Sequence, residues 1–378
     1  MDFDRRLTAL RDRRLGLSKL QKSMDGVAFA TASQRSLLTE RYQKRSSNRA
    51  TRYALGAMEE VKADYTAISI EEGTRIGKQL INRLPANWHM ECELQGSVPL
   101  NVHIEGVSDV DLLALRTDHL RFTVSGPKAN TYTTLAQPSS LDVIWGLRER
   151  ARIELGTAFP ACSIDASGSK SLSMTEGSLR RKVDVVPAIW WHTAEYQAYN
   201  LKKDKGVAIM DVHAWLTTDN LPFLHIHEVA SKDHRTVGGA RKVIRLLKTM
   251  KEDSDDKPKI SLSSYDIAGL VWQMNEADLT VHPWSEITLV DVAQSCLRYF
   301  RENKTTVMGL MTPDGTRRIV DTEAKFQGLV LLSLEVDTLA ERIALEIEPS
   351  LQVYGRMYPS MMKDSVSQAL RKSFLPVN

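Results

Sequence analysis

Asp109 and Asp111 alternate with apolar residues in the sequence DVDLLAL, residues 109–115, a pattern that is typical of a β-strand. Side chains two positions apart project to the same face of a strand, so the two carboxylates point together while Val110 and Leu112 enter the core. Two carboxylates held side by side repel each other unless a cation lies between them. Oxygen ligands of this kind suit Mg²⁺ or Mn²⁺. The pattern therefore predicts a strand with a cation site on one face.

A glycine-serine turn precedes the aspartate pair. Gly96 and Ser97 are separated from Asp109 by residues 98–108. A glycine lets a phosphate approach the backbone closely, and the turn offers free N–H groups and a hydroxyl donor. These two residues therefore predict a phosphate-binding turn beside the carboxylates.

A third carboxylate, Asp184, lies in the apolar, β-like run VDVVPA. Burying an unpaired carboxylate in such a run is costly unless a metal ion or a hydrogen-bond donor compensates it. Two interpretations are open for this residue alone. It completes the cation site, or it lies on an edge strand, in water or paired with the preceding Arg180, Arg181 or Lys182. Together with the turn and the aspartate pair, it predicts a two-metal site for phosphoryl transfer.

Composition limits the class of protein. A length of 378 residues predicts about two domains. The 50 basic and 47 acidic residues leave a net charge of +3, which argues against binding a polyanion through bulk charge. Three distant cysteines fit a reducing cytosol and give no zinc framework. The N-terminus is charged from its second residue and no apolar run of about 18 residues occurs, so we expect a cytoplasmic protein without a membrane span.

The hydrophobic pattern changes along the chain. A strand-rich first half is expected to be followed by a mainly helical second half from Gly239 onward, with a domain boundary that divides residues 1–215 from 216–378. Alternating His225 and His227 predict a further strand, without a catalytic zinc site. The expected elements of the first half are helices over 65–84 and 139–159, strands over 90–95, 99–104, 109–115, 171–174 and 182–189, and a strand or hairpin over 206–216 followed by a turn.

Gly96-Ser97, the Asp109–Leu112 segment and Asp184 within VDVVPA resemble the signature of the polymerase β-like nucleotidyltransferases. The segments RLLK and SSYDIAGLVWQM of the second half resemble the helical domain of one branch, the bacterial cGAS/DncV-like nucleotidyltransferases, or CD-NTases. The resemblance implies an α+β fold in which a core of mixed sheet and flanking helices is joined to a C-terminal helical domain. It also implies an active site in the cleft between the two.

The resemblance implies a role for each matching residue. Asp109 and Asp111 would bind two Mg²⁺ or Mn²⁺ ions, and Asp184 would complete the metal site and help to activate a ribose hydroxyl. For two of the nucleotide-binding residues named next, the residues alone leave an alternative without a functional role. In that alternative, the lysine of RLLK lies on a helix face in water, and the tyrosine of SSY lies at the edge of the core beside a serine N-cap. The residues expected to bind nucleotide are Gln95 at the base, Gly96 and Ser97 at the triphosphate, Lys248 at the β- and γ-phosphates, and Ser264 with Tyr265 around the donor nucleotide.

The implied activity is the condensation of nucleoside triphosphates into a cyclic di- or trinucleotide with release of pyrophosphate, in bacterial anti-phage (CBASS-type) signalling. A separate effector would respond to the product; the resemblance implies no direct binding between effector and enzyme, and no membrane partner. No DNA activator is expected, because the chain has no His-Cys-Cys cluster. Two alternatives are a template-independent transferase that acts on RNA ends or a protein, and a non-catalytic nucleotide-binding sensor. The balanced charge disfavours the first, and the complete set of carboxylates disfavours the second.

Overall fold

A computed structural model describes residues 2–14, 40–133, 138–353 and 361–376. Contacts between residues divide the chain into two compact units. We call them the sheet unit, Lys62–His103 with Ser108–Ala230, and the helical unit, Met1–Val61 with Ile104–Val107 and Ser231–Asn378.

The sheet unit consists of strands with α-helices between groups of them, whereas the helical unit is built mainly of helices. The strands are β1 (Met90–Gln95), β2 (Val110–Phe122), β3 (Ser163–Asp165), β4 (Leu172–Thr175), β5 (Val183–His192), β6 (Lys205–Asp211) and β7 (Leu216–Asn220). The helices are α1 (Phe3–Arg14), α2 (Arg41–Arg45), α3 (Arg49–Met58), α4 (Ala63–Arg83), α5 (Ser140–Ala158), α6 (Ala194–Tyr199), α7 (Pro222–Arg235), α8 (Gly239–Asp253), α9 (Ser264–Trp272), α10 (Glu276–Leu279), α11 (Thr288–Glu302), α12 (Lys304–Gly309), α13 (Glu323–Ile347) and α14 (Met362–Lys372). None of these helices is long and apolar enough to cross a membrane.

The sheet is mixed, as the resemblance to the nucleotidyltransferases implies. Its main path runs β1-β2-β5-β4-β3, and β6 and β7 continue from the other end of β5. Strands β2 and β5 run parallel, and the other pairs are antiparallel. Strand β5 is therefore central, with β2 on one side and both β4 and β6 on the other.

Helices α4 and α5 cover one face of this sheet. Two glycines one turn apart let α4 lie close to β1. A Cβ added at Gly73 would stand 2.6 Å from the Leu94 side chain, and one added at Gly77 would stand 3.0 Å from Cys92 Cβ. The buried residues of this layer are Ile76 and Leu80 of α4, Leu147, Ala151 and Leu155 of α5, and Val110, Leu112, Val183 and Val185 of the strands.

The helical unit includes the N-terminal helices. Helix α3 packs against α1, α8 and α13, and Tyr53 and Ala54 of α3 are fully buried. Glu346 of α13 accepts hydrogen bonds from the backbone of Ala50 and Thr51 at 2.8 and 2.9 Å. The structure thus groups residues up to 61 with the C-terminal helices, and this differs from the expected division at residue 215. Long-range packing decides this grouping, and no local pattern records it.

Three local predictions are wrong. Residues 99–104 form no strand, because the turn that begins at Gly96 continues through them: the N–H of Val102 donates to the carbonyl of Ser97 at 3.0 Å, and Asn101 has a φ of 56°. The histidines at 225 and 227 lie on helix α7, which begins at Pro222, a residue well suited to the first turn of a helix. The expected turn after residue 216 is strand β7, which pairs with β6.

Candidate active site

Asp111 of β2 and Asp184 of β5 are paired in the register of the two parallel strands. Gln95 of β1 is paired with Asp111 on its other side. Paired residues project to the same face of a sheet, so the two carboxylates stand side by side. Asp109 precedes the strand by one residue, and Val110 between the aspartates is buried, as the alternation predicts.

Gly96 brings the turn after β1 directly against Asp111. Its φ is +76°, in the left-handed region that favours glycine, and an added Cβ would stand 2.2 Å from Asp111 Oδ2. Ser97 follows it and is partly exposed. The backbone at Gly96 therefore lies beside the carboxylates with no side chain in the way, which is the arrangement that a phosphate-binding turn needs.

Lys182 lies among these carboxylates. Its Nζ donates a hydrogen bond to Asp109 Oδ2 at 2.6 Å and stands 3.5 Å from Asp184 Oδ2. Asp184 Oδ1 is buried and has no hydrogen-bond partner among the described residues. The structure thus pairs Asp184 with Lys182, one of the open interpretations, but on a central strand, so the expectation of an edge strand is wrong.

Burial and charge act against each other in this pair. Burial raises the pKa of Asp109 above its ordinary value, although the hydrogen bond and charge of Lys182 lower it. Burial lowers the pKa of Lys182, whereas the hydrogen bond and charge of Asp109 and the charge of Asp184 raise it. The raising effects are larger in sum, so the pKa lies above its ordinary value. The ammonium therefore stays charged beside Asp109.

An ion-pair network fixes the segment that leads into β5. Glu72 of α4 is 1% exposed and accepts hydrogen bonds from Arg75 at 2.9 Å and Arg180 at 2.8 Å. Arg180 also donates to the exposed Glu71 at 2.6 Å. Arg75 donates to the carbonyl of Ser178 at 3.1 Å. None of the predicted site residues belongs to this network, although the adjacent arginines before Asp184 and the acidic pair in a helix are a usable signal for it.

The carboxylate set fits a hard divalent cation in its donor chemistry. All three side chains offer oxygen, and in the part of the chain that the structure describes no donor reaches the buried Asp184 Oδ1. Within the described residues, no three histidine, cysteine or acidic side chains are gathered closely enough to hold a metal ion as they stand. Lys182 already supplies a positive charge between Asp109 and Asp184.

The remaining predicted residues lie in the helical unit, so the structure does not gather all nine within one unit. Lys248 of α8 is 5% exposed, and it is therefore not a solvated lysine on an amphipathic helix. Ser264 is the first residue of α9, and Ser263 before it is the N-cap, whose hydroxyl accepts from the N–H of Asp266 at 3.1 Å.

Tyr265 is held by two neighbours in the helical unit. Its hydroxyl donates to Asp314 Oδ2 at 2.6 Å, and the guanidinium of Arg317 lies 5.3 Å from the centre of its ring. Burial and the nearby Asp314 raise its pKa above the ordinary value, so the hydroxyl stays protonated and remains a donor. Tyr265 is half-buried.

Solved structures share this fold. The structure of a STING-associated CdnE c-di-GMP synthase from Capnocytophaga granulosa matches 90% of this chain and 97% of its own, with a TM-score of 0.67 and 23% identity. The Rhodothermus marinus CdnE c-UMP-AMP synthase, solved with Apcpp and Upnpp, matches 75% of this chain and 94% of its own, with a TM-score of 0.58 and 15% identity. The fold is that of a polymerase β-like nucleotidyltransferase with a C-terminal helical domain.

Sequence comparison identifies the branch. Residues 227–328 match the family model described as the cGAS/DncV-like nucleotidyltransferase C-terminal helical domain. The cyclic dinucleotide synthase CdnE of Yersinia aleksiciae is 41% identical over 312 residues, which cover 82% of this chain and 81% of the relative. The chain therefore belongs to the cGAS/DncV-like nucleotidyltransferases.

Proposed function

We propose that this protein condenses two nucleoside triphosphates into a cyclic dinucleotide and releases two molecules of pyrophosphate. The observation that carries the proposal is the set of three carboxylates on one face of β2 and β5 beside the Gly96 turn. The similarity to a cyclic dinucleotide synthase over four fifths of the chain supports a two-nucleotide ring rather than a larger one.

The carboxylates are the proposed ligands of two divalent cations, Mg²⁺ or Mn²⁺. Asp109 and Asp111 would contact both ions, and Asp184 would complete the set and accept the proton of the attacking hydroxyl. When bound, the cations supply the positive charge that stabilises negative charge developing on the transferred phosphate. Asp184 Oδ1 is buried and accepts no hydrogen bond from any residue that the structure describes, which supports this assignment.

The remaining predicted residues would position the nucleotides. Backbone N–H groups at Gly96 and the hydroxyl of Ser97 would bind the donor triphosphate, and Gln95, in register with Asp111, would face a base. Lys248 would contact the β- and γ-phosphates, while Ser264 and Tyr265 would hold the donor nucleoside by hydrogen bonding and stacking. Positioning of this kind supplies much of the rate in phosphoryl transfer, because the reaction needs little covalent chemistry from the protein.

The same nucleotidyl transfer takes place twice, and each transfer releases one pyrophosphate. A ribose hydroxyl of one nucleotide attacks the α-phosphorus of the other, a new P–O bond forms, and the bond to the departing pyrophosphate breaks. The hydroxyl of the linear intermediate then attacks the remaining α-phosphorus and closes the ring. The product would act as a second messenger in anti-phage defence of the CBASS type, where a separate effector reads it.

The test is incubation of the purified protein with all four labelled nucleoside triphosphates and Mg²⁺ or Mn²⁺, followed by phosphatase digestion and mass spectrometry. A phosphatase-resistant dinucleotide without terminal phosphates is expected, and its mass identifies the bases. The double variant Asp109→Asn, Asp111→Asn should make none. A matched control, Asp165→Asn with Glu195→Gln, removes two exposed charges from the same unit and should keep the activity.

Three results would contradict the proposal. Linear or RNA-attached products alone would indicate a terminal transferase. Nucleotide binding without any product, under every metal condition, would indicate a sensor. Full activity in the Asp109 and Asp111 double variant would mean that the reaction takes place elsewhere.

A further inference from the structure

Lys182 has a special place in the candidate active site. It stands two positions before Asp184, so its side chain projects to the face of the sheet that carries the carboxylates. The N–H of Val110 donates to the carbonyl of Lys182 at 3.0 Å, which fixes the lysine backbone beside Asp109. Its ammonium then reaches both Asp109 Oδ2, at 2.6 Å, and Asp184 Oδ2, at 3.5 Å.

These contacts differ from an ordinary surface ion pair. The exposed fractions of the side chains are 39% for Lys182, 34% for Asp109 and 19% for Asp184. Attraction between charges is stronger where water is partly excluded than in bulk solvent. The lysine is therefore bound to the carboxylates rather than loosely associated with them.

Lys182 and a divalent cation would compete for the same atoms. Asp109 Oδ2 accepts a hydrogen bond from the ammonium, so a metal ion would have to share this oxygen with Lys182 or displace the ammonium from it. One ammonium also carries a single positive charge, whereas Asp109 and Asp184, which it contacts, carry two negative charges when ionised. The lysine thus neutralises this pair only in part.

We infer that Lys182 is a built-in competitor of the divalent cation, which bridges Asp109 and Asp184 in the metal-free enzyme and leaves these oxygens when the cation binds. The inference rests on the proposed function, because it requires that the carboxylates hold a cation. The bridging ammonium keeps the carboxylates together without metal and lowers the affinity of the free enzyme for the cation. The arrangement favours entry of the cation together with a nucleoside triphosphate rather than alone.

The test measures binding of Mn²⁺ alone to the metal-free protein, through loss of the electron paramagnetic resonance signal of free Mn²⁺. Lys182→Met removes the charge at similar length, and Lys182→Gln keeps a hydrogen-bond donor without the charge. Both variants should bind Mn²⁺ about tenfold more tightly than the wild type, a gain of about 1.4 kcal/mol that matches the weight of one hydrogen bond to a charged group. Lys182→Arg keeps the positive charge of the side chain and should bind Mn²⁺ as the wild type does.

Lys202→Met is the matched control. Lys202 lies in the same unit and donates to Glu93 at 2.7 Å, so its loss changes the net charge equally without touching the site. Its Mn²⁺ affinity should equal that of the wild type. Equal tightening in this variant would mean that long-range charge, and not the contacts of Lys182, sets the affinity, and the inference would fail.

Thermal unfolding gives a second readout. In EDTA, Lys182→Met should unfold at a lower temperature than the wild type, because its carboxylates repel each other without a cation. Saturating Mn²⁺ should raise its unfolding temperature by more than it raises that of the wild type. An equal rise in both proteins would overturn the inference.

The two levels of the proposal fail in different ways. Unchanged or weaker Mn²⁺ binding by both neutral variants, with clear binding by the wild type, would refute the role of Lys182 and leave the metal site intact. Absence of Mn²⁺ binding in the wild type and in every variant would refute the metal site itself.

Discussion

Asp111 and Asp184 stand opposite each other on neighbouring parallel strands, although 72 residues separate them in the sequence. The register of the two strands places both carboxylates on one face of the sheet. Gly96, directly after β1, lies against Asp111 on its other side. Because the central strands carry the pair, its geometry depends on the packing of the sheet rather than on a mobile loop. Substitutions at the site should therefore affect chemistry more than folding.

Asp184→Asn should lower the rate of cyclic product formation by at least about a hundredfold, the loss expected when one group that acts on developing charge is removed. The unfolding free energy should change by less than about 1 kcal/mol, since the exchange keeps the volume of the side chain. Product formation by mass spectrometry and chemical denaturation measure the two quantities. Asp165→Asn, on the exposed strand β3, is the control and should match the wild type in both. Full activity in the Asp184→Asn protein would remove Asp184 from the site.

Gly96→Ala should abolish activity and destabilise the sheet unit. A left-handed residue with a Cβ costs about 1–2 kcal/mol, and here the Cβ would also meet Asp111 Oδ2 at 2.2 Å. Gly146→Ala is the matched control, because no atom lies within 4 Å of its Cβ position in helix α5. That exchange should stabilise the protein by about 0.5–1 kcal/mol and leave activity unchanged. Denaturation and initial rates of both variants test the pair, and an active Gly96→Ala enzyme would contradict the role of the turn.

The sequence predicts the parts of this site that follow from local rules. Alternation places Asp109 and Asp111 on one face, and the requirement of a left-handed turn explains Gly96. Lys182 obeys the same two-residue spacing before Asp184, yet within Arg-Arg-Lys it is hard to distinguish from a solvated lysine. Its contact with Asp109 depends on the pairing of β2 with β5, which brings together residues that are far apart in the chain.

The grouping of the N-terminal helices was not accessible from the sequence. It rests on contacts such as Glu346 with the backbone of Ala50, and Arg6 with Glu335 at 2.7 Å. Each joins residues about 300 positions apart, and local periodicity has no information at that range. The segment over 99–104 shows the opposite failure, because its apolar residues imitate a strand while a local turn satisfies its backbone.

Glu72→Gln should lower the unfolding free energy by about 1–3 kcal/mol, because the buried side chain would lose its charge between Arg75 and Arg180. The side chain of Glu71, in the adjacent position, is 65% exposed and also contacts Arg180, and Glu71→Gln should change stability by no more than about 0.5 kcal/mol. Denaturation of both variants measures the difference. Glu72→Gln should also reduce the turnover rate, since it loosens the segment before Asp184. Equal stability of the two variants would show that burial of Glu72 is not decisive.

His192 is the last residue of β5, whereas Asp184 lies near the start of that strand. We expect His192 to make the unfolding free energy depend on pH. Burial, with the nearby charge of Lys205, lowers its pKa to about 4, against 6.5 for an ordinary histidine. Between these pH values the histidine binds a proton in the unfolded chain but stays neutral in the folded protein. The unfolding free energy should therefore fall as the pH drops from 6.5 towards 4, by less than about 1.4 kcal/mol per pH unit. His192→Gln should flatten this slope, whereas His213→Gln, at an exposed position, should leave it unchanged. Denaturation curves at about pH 7, 6 and 5 measure the effect, and a slope that is the same in the wild type and His192→Gln would assign the pH dependence to other groups.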